Sequence, residues 1–331
     1  MTPVLVIGAN GFLGSHVTRQ LVNSGADVRV MVRAGADTRS IDDLTVTRFT
    51  GDVFDTATVR AAMTGCDVVY YCVVDTRAWL RDPAPLFHTN VDGLRNVLEV
   101  ACEEPIAADL RRFVFTSSYA TVNRRRGHVA TEDDVLDARG LTPYVQSRLQ
   151  AEQMVLAYAA ERGLPAVAMC VSTTYGGGDW GRTPHGAFIA GVVYGKLPFL
   201  MRGIGLEVVG VDDAARALIL AAEHGRAGER YLISEKYMAL NDVIGVAADE
   251  AGVPLPRWSM PVPLLYTLGA LGSLKAKATG TDAELSVTSV RMMRAEAPVD
   301  HTKAERELGW QPRPVERSEE HTSELQSHHD L

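Results

Sequence analysis

Apolar residues follow two rhythms along this chain. Val4–Ile7 is an unbroken apolar run that stops at Gly8, the pattern of a strand buried on both faces. Phe12–Leu21 carries its apolar residues at helical spacing. Asp27–Val32 predicts a second strand, and Val46–Phe49 a third, closed by Gly51-Asp52. Thr56–Met63 reads as a helix, and Asp67–Val74, β-branched and aromatic, as the fourth strand. Val91–Cys102 is helical, Arg112–Thr116 a fifth strand, and Ala166–Val171 a sixth. Between the last two lies a long amphipathic helix, Tyr144–Arg162, punctuated by Gly163-Leu164-Pro165. Strands alternating with helices predict the α/β class with a doubly wound parallel sheet.

Beyond Thr173 the alternation loosens. Gly176–Gly178 reads as a flexible loop and His185–Lys196 as a helix. Leu206–Val211 and Arg230–Ile233 are further strands, with Asp213–His224 as a helix between them. Asn241–Gly252, Val262–Leu274 and Lys303–Leu308 are the remaining helices. The expected division is a dinucleotide-binding domain over 1–173 and 208–239, and a smaller mixed C-terminal substrate domain over 174–207 and 240–314. Arg317–Leu331 reads as the translation of a sequencing adapter, a non-native tail whose His328-His329 pair is no metal site.

Composition narrows the function classes. The chain has 331 residues, 46% hydrophobic and 22% charged, enough for a core that needs no metal or disulfide staple. A net charge of −8 leaves no basic footprint for nucleic acid, and the run Arg124–Arg126 is too small to change that. The four cysteines form no C-x-x-C pair and are expected to be buried, reduced thiols. The histidines show no metal-ligand spacing, so no metal is expected. The longest apolar run, Val262–Leu274, is shorter than the roughly 20 residues of a spanning helix. Stable membrane insertion is therefore not expected, although peripheral contact through this run stays open. With no leader-like segment at the start, a cytoplasmic protein is expected.

The first chemistry sits at Gly8-Ala9-Asn10-Gly11-Phe12-Leu13-Gly14, between the first strand and the first helix. Glycine allows a tight turn and close backbone approach. The helix N-terminus then offers free N–H groups to a pyrophosphate. This strand–turn–helix setting predicts dinucleotide binding. NAD binders place a carboxylate at the end of the second strand to accept the ribose 2′-hydroxyl. Here that place holds Arg33, with Arg39 nearby, and arginine suits a 2′-phosphate by charge and geometry. NADP(H) is therefore expected ahead of NAD(H).

Thr116-Ser117-Ser118 follows the fifth strand, and Tyr144-Val145-Gln146-Ser147-Arg148 opens the long helix. Together with the glycine loop, these segments resemble the extended short-chain dehydrogenases/reductases of the NAD-dependent epimerase/dehydratase type. The resemblance is greatest to dihydroflavonol reductases, 3β-hydroxysteroid dehydrogenases and hopanoid-associated epimerase-like proteins. Gly51-Asp52-Val53, Asn90–Val97, Val211–Ala214 and Glu307–Pro312 extend it over nearly all of residues 3–314.

The resemblance implies a Rossmann-like sheet and a set of roles. Ser118 would hydrogen-bond the substrate oxygen, and Tyr144 would pass a proton to or from it. Asp52 and Val53 would flank the adenine. Cys72, Val73 and Val74 would run past the cofactor ribose, with Thr116 also at the cofactor. Ser172 and Thr173 would lie near the nicotinamide. A homodimer through two long helices is implied as well. The chemistry is coherent without the resemblance. Hydride reaching a carbonyl carbon builds negative charge on oxygen, which a positioned donor stabilises and a proton-transfer group discharges. A free tyrosine has a pKa of about 10 and needs a nearby cation to act near neutrality.

In the family that cation is a lysine four residues after the tyrosine; here it is Arg148. Arginine keeps the charge on the same helix face but is forked, larger and unable to give up a proton. Three readings stay open: an enzyme working with arginine, a noncatalytic NADP(H)-binding protein, or an error in the sequence. Two further residues read as structural: Asp212-Asp213 as a helix N-cap pair and Trp310 as a core anchor. Asn90 is expected to support the site through backbone contacts.

Substrate contacts are expected from Trp79, Tyr119, Tyr175, Trp180, Phe188 and Phe199, whose rings suit an apolar or ring-shaped carbonyl compound, unless several of them merely pack the small domain. A nucleotide-sugar epimerase would instead need cationic clamps, for which Arg182, Lys196 and Arg202 are available.

Overall fold

The computed structural model describes residues 2–125, 127–181, 183–279, 282, 286–287, 289–290 and 297–315. Arg126, Arg182 and the tail expected from Arg317 lie outside the described residues. The framework is a seven-stranded sheet of β1 (Val4–Ile7), β2 (Val28–Val32), β3 (Thr47–Thr50), β4 (Val68–Tyr71), β5 (Arg112–Ser118), β6 (Ala166–Val171) and β10 (Arg230–Ile233). Its order is β10-β6-β5-β4-β1-β2-β3, and every pairing is parallel. The first crossover leaves β1 towards β2 and β3, and the later strands stack on the other side. That reversal opens a crevice at the strands' C-terminal ends.

Successive strand residues point to opposite faces, and both faces are covered. Val6, Val30, Val114 and Val167 pack against α1 (Phe12–Asn23) and α8 (Val211–His224). Leu5, Val69, Phe113 and Phe115 pack instead against α2 (Thr56–Met63), α4 (Leu94–Ala101) and α6 (Pro143–Arg162), with the short helices α3 (Ala84–Phe87) and α5 (Ile106–Asp109) before and after α4. Each such side chain contributes about 1.5–3 kcal/mol by leaving water.

A separate core lies beyond the sheet. It joins β7 (Thr173–Tyr175) and β9 (Gly205–Gly210) to α7 (Pro184–Val193), α9 (Leu240–Glu250) and α10 (Val262–Thr279). Here β9 pairs parallel with β7 and antiparallel with β11 (Lys236–Ala239). A small parallel pair, β8 (Leu200–Met201) with β12 (Ser259–Met260), lies beside it.

Several boundaries differ from the sequence pattern for identifiable reasons. The fourth strand keeps its ladder only over Val68–Tyr71; the Cys72 N–H still donates to Ile7 O at 2.9 Å, and Val73-Val74 then leave the sheet. The helix expected from Val91 begins within a π-turn, His88–Gly93, in which Asn90, Val91 and Gly93 are buried. A Cβ on Gly93 would stand 2.7 Å from Val53 Cγ2, which accounts for the glycine. The N-cap of α8 is Gly210, not the Asp212-Asp213 pair. Asp213 pairs through its carboxylate with Arg313 at 3.1 Å, and its carbonyl accepts from Trp310 Nε1 at 2.9 Å. Trp310 is buried, as expected of an anchor. All four cysteines are free; Cys66 and Cys170 are buried, whereas Cys72 and Cys102 are only half-buried.

Candidate active site

The crevice is lined by what the strands carry at their ends. At β1 the chain turns at Gly8, whose φ of +85° only glycine adopts freely, and a Cβ there would meet Cys72 C at 3.0 Å. A Cβ on Gly14 would stand 2.2 Å from Gly8 O, so no side chain fits. Gly11 is the N-cap of α1 and supplies no side-chain oxygen to the first turn. The N–H groups of that turn therefore remain for an incoming anion. Asn10 braces the loop by donating Nδ2 to Asp37 O at 3.1 Å, while Ser40 Oγ donates to Asn10 O at 3.2 Å. Phe12 and Leu13 open the helix at this edge.

Past β2, Arg33 is exposed and no carboxylate replaces it. Arg39 is held by Asp37 at 2.9 Å, and its guanidinium lies 5.3 Å from the centre of the Trp180 ring. Trp180 therefore reaches the loop after β2. At β3, the Asp52 carboxylate accepts from Phe54 N at 3.2 Å, and Val53 is buried in the sheet core.

The catalytic candidates occupy neighbouring elements. Ser118 ends β5, and its Oγ accepts from Ala120 N at 3.2 Å, which leaves the hydroxyl proton free to donate. Tyr144 lies in the first turn of α6, which is capped by Thr142 Oγ1 accepting from Val145 N. Its ring is half-buried, and its carbonyl accepts from Ser147 Oγ at 2.8 Å.

Arg148, one turn further on, is 1% exposed. It donates Nη2 to Thr116 O and lies 5.1 Å over the Phe115 ring. Its Nε and Nη1 are buried with no hydrogen-bond partner. The hydroxyls of Tyr71 and Ser172 share that condition. Burial raises the Tyr71 phenol pKa, with the Arg148 charge pulling the other way.

Unspent buried N–H and O–H groups cost about 1–3 kcal/mol each. Tyr71 lies in the apolar core against Phe113 and Phe115, whereas the Arg148 nitrogens and Ser172 Oγ, near the strand ends and beside a glycine cradle with no room for Cβ atoms, fit a polar cofactor. Cys72 contributes little chemistry: Thr116 Oγ1 donates to its sulfur at 3.5 Å, and burial pushes the thiol up to about 11. Val73 packs on Gly8, Val74 is exposed, and Thr173 is buried in β7.

Two supporting groups escaped the sequence reading. Glu152, buried on α6, accepts from Ser117 Oγ at 2.5 Å, Thr121 Oγ1 at 2.8 Å and Cys170 Sγ at 3.2 Å, and pairs with Arg230 at 2.8 Å. It thereby ties the end of β5 to α6 and β10. Its signal was the i, i+4 series Tyr144, Arg148, Glu152, which puts all three on one helix face. The second is Asp75, whose N–H donates to Asn90 Oδ1 at 2.7 Å and whose carbonyl accepts from Asn90 Nδ2 at 3.1 Å. Asn90 Nδ2 also donates to Ser147 Oγ at 3.1 Å, so Asn90 does brace the site.

The aromatic candidates do not form one wall. Trp79 is half-buried in the loop after β4, and Tyr119 lies beside Ser118 with the Arg124 guanidinium 4.5 Å over its ring. Tyr175 is buried in the second core, where Phe188 and Phe199 also pack. Of the clamp candidates, Lys196 lies over Tyr194 at 5.5 Å, and Arg202 donates Nε to Ser259 Oγ at 3.0 Å. No group of three or more metal-ligating side chains occurs among the described residues.

The NAD dependent epimerase/dehydratase family model matches residues 4–234. Similar sequences include the sterol demethylase protein B of Methylococcus capsulatus, 26% identical over 93% of this chain and 93% of that protein. A dihydroflavonol 4-reductase of Zea mays is 28% identical over 78% of this chain and 76% of its own length. Among solved structures, that of gox2253 superposes with a TM-score of 0.87 at 29% identity, covering 100% of both chains.

Proposed function

This chain belongs to the NAD-dependent epimerase/dehydratase family, whose members are NAD(P)-dependent oxidoreductases and epimerases, and on that premise we propose that it is an NADP(H)-dependent oxidoreductase acting on the carbonyl or alcohol of a bulky apolar substrate. The observation that carries the reading is the grouping of Ser118, Tyr144 and Arg148. Two adjacent elements hold them, fastened by the bond from Arg148 to Thr116 O. The relatives named as a sterol and a flavonoid enzyme support an apolar substrate. The exposed Arg33 at the end of β2 supports NADP(H) over NAD(H). The division at residues 173/174, 207/208 and 239/240 into cofactor and substrate parts belongs to the same proposal.

Gly8, Gly11 and Gly14 would cradle the pyrophosphate, Arg33 the 2′-phosphate, and the unspent Arg148 nitrogens and Ser172 Oγ the nicotinamide half. Bound NADPH supplies the two-electron reductant. The chain's own work is polar. Ser118 donates its free hydroxyl proton as a hydrogen bond to the substrate oxygen. Tyr144 delivers a proton to that oxygen as charge develops. Arg148 keeps positive charge beneath Tyr144 without exchanging a proton of its own. Glu152 and Asn90 hold the two carrying elements in place.

A second reading rests on the same side chain. Arg148 is committed to Thr116 O and the Phe115 ring, which favours a protein that binds NADP(H) with little turnover. The epimerase reading is weaker, because Lys196 and Arg202 are engaged elsewhere.

The test follows NADPH absorbance with aromatic, steroid-like and terpenoid ketones and aldehydes, using this chain and Arg148→Lys in parallel. Consumption by the unaltered chain establishes the reductase. Consumption by the lysine variant alone supports the binding-protein reading. Silence from both with NADPH still bound refutes reduction of these substrates.

A further inference from the structure

Helix α10 buries very little of itself. Leu265 and Gly269 face inward, and Ser273 accepts from Val287 N at 3.2 Å. On its outer side Leu264 is 47% exposed, Leu271 59% and Leu274 66%. At 3.6 residues per turn these three fall within about 80° of one another and form one stripe. Just before the helix, Trp258 is 80% exposed and Leu255 43%. These five residues are half of the ten exposed large hydrophobics among the described residues. Scattered singly they would need no explanation; gathered on one helix and its lead-in, they form a patch.

The charges around the patch choose its partner. Between Glu250 and Asp282 lie Arg257, Lys275 and Lys277 and no Asp or Glu, within a chain of net charge −8; the exposed carboxylates of Asp249, Glu250 and Asp282 bound this segment at its two ends. Lys275 and Lys277 are exposed and fall on opposite edges of the apolar stripe, where their stems can lie along it while the ammonium groups stay in water. Arg257 precedes the exposed indole of Trp258. A tryptophan, exposed leucines and flanking cations are groups that settle at a membrane–water interface; α10 is apolar on its inner side as well, so this outer patch alone would meet the lipid. No helix among the described residues is long and apolar enough to cross a membrane. An acidic protein partner would match the cations but not the leucines, and a second copy of the same face would oppose its own lysines.

We infer that the outer face of α10, with Trp258, docks this protein onto the surface of an anionic lipid bilayer. The inference rests on exposure and charge alone and stands whether or not the chain proves to be a reductase. The helix lies in the plane of the surface: the leucines enter the headgroup–acyl boundary, and the cations meet lipid phosphates.

The test is co-sedimentation of the full chain with vesicles of phosphatidylcholine alone and of phosphatidylcholine mixed equally with phosphatidylglycerol. Binding is expected to the anionic vesicles, with a blue shift of tryptophan emission that Trp258→Phe removes. A Leu271→Glu/Leu274→Glu pair is expected to lower partitioning at least about tenfold, because two exposed leucines leave the interface. Lys275→Glu/Lys277→Glu, or about 0.5 M salt, is expected to lower it several-fold by removing or screening the attraction. All these side chains are exposed, and unchanged far-ultraviolet circular dichroism verifies the fold of each variant. Binding to neither vesicle overturns the inference. So does binding that the leucine pair leaves unchanged. Concentration-dependent self-association that the leucine pair abolishes, without vesicle binding, also overturns it and assigns the face to a second copy.

Discussion

Replacing Arg148 by methionine separates the cost of the site from its use. The guanidinium is 1% exposed and has no carboxylate partner among the described residues. It makes one charge-assisted bond, to Thr116 O, and one ring contact, to Phe115. Losing these costs about 1.5–3 kcal/mol for the bond and about 2 kcal/mol for the ring contact, which is desolvated. Against that, the unspent Nε and Nη1 each carry a penalty of about 1–3 kcal/mol that methionine abolishes. Methionine fills most of the same volume and adapts to irregular gaps. The balance is near zero, whereas truncating a buried side chain ordinarily costs about 2–5 kcal/mol. Urea unfolding of Arg148→Met without cofactor is therefore expected to match the unaltered chain within about 1 kcal/mol. Added NADPH should separate the two. At a hundred times its Kd a ligand stabilises its binder by about 2.7 kcal/mol, and the methionine variant should forfeit most of that. A loss above about 2 kcal/mol without cofactor, or undiminished stabilisation by NADPH, would refute the reading of Arg148 as a strained group reserved for a ligand.

The other predictions are more direct. Glu152→Gln leaves Arg230 without its buried carboxylate and should cost about 3–5 kcal/mol in urea unfolding; a cost below about 1 kcal/mol would remove Glu152 from the support of β5. Gly14→Ala should abolish NADPH binding measured by calorimetry, because its Cβ cannot stand 2.2 Å from Gly8 O. Arg33→Ser should weaken NADPH about tenfold or more while leaving NADH little changed, since one lost charge pair of about 1.4 kcal/mol is a factor of ten; equal weakening of both would detach Arg33 from the 2′-phosphate. Burial holds the Cys66 and Cys72 thiols up at about 11. Only about one in a thousand is thiolate near pH 8, so iodoacetamide should label both mainly after unfolding, as read by mass spectrometry.

The parallel sheet was legible because all its strands but the exposed edge strand β3 are largely buried on both faces. Runs such as Val4–Ile7 and Ala166–Val171 have no competing pattern. The glycine loop was legible because backbone contact leaves no room for other residues, as the 2.2 Å approach at Gly14 shows. Residues 173–175, 200–201, 236–239 and 259–260 carry short strands the pattern did not reveal. They are too brief for a period to register, and they form by tertiary pairing. The π-turn at His88–Gly93 was hidden for another reason: one extra residue in a helical turn leaves the apolar spacing almost unchanged. Glu152 was hidden because a glutamate on a long helix ordinarily reads as a solvated charge. Only the contacts from β5 and β10 show that it is buried.

Arg148 illustrates what sequence position does and does not determine. Its place four residues after Tyr144 puts both on one face of α6. A compact ammonium there reaches whatever lies above it. A fork that donates sideways to Thr116 O and lies on Phe115 holds its charge lower, against the sheet. Two nitrogens nevertheless remain without partners. A fold that merely tolerated a stray cation would be expected to give those nitrogens a carbonyl or a carboxylate, since each costs as much as a lost hydrogen bond. Ser172 Oγ is unspent in the same way, and the first turn of α1 has no capping side chain. Three elements thus leave polar groups unused at the same ends of the same sheet. Asp67 Oδ1 and Arg112 Nε, at the opposite ends of β4 and β5, are without partners too, so the NADPH-dependent difference between the unaltered chain and Arg148→Met is what separates groups held for a ligand from groups the fold simply leaves unpaired.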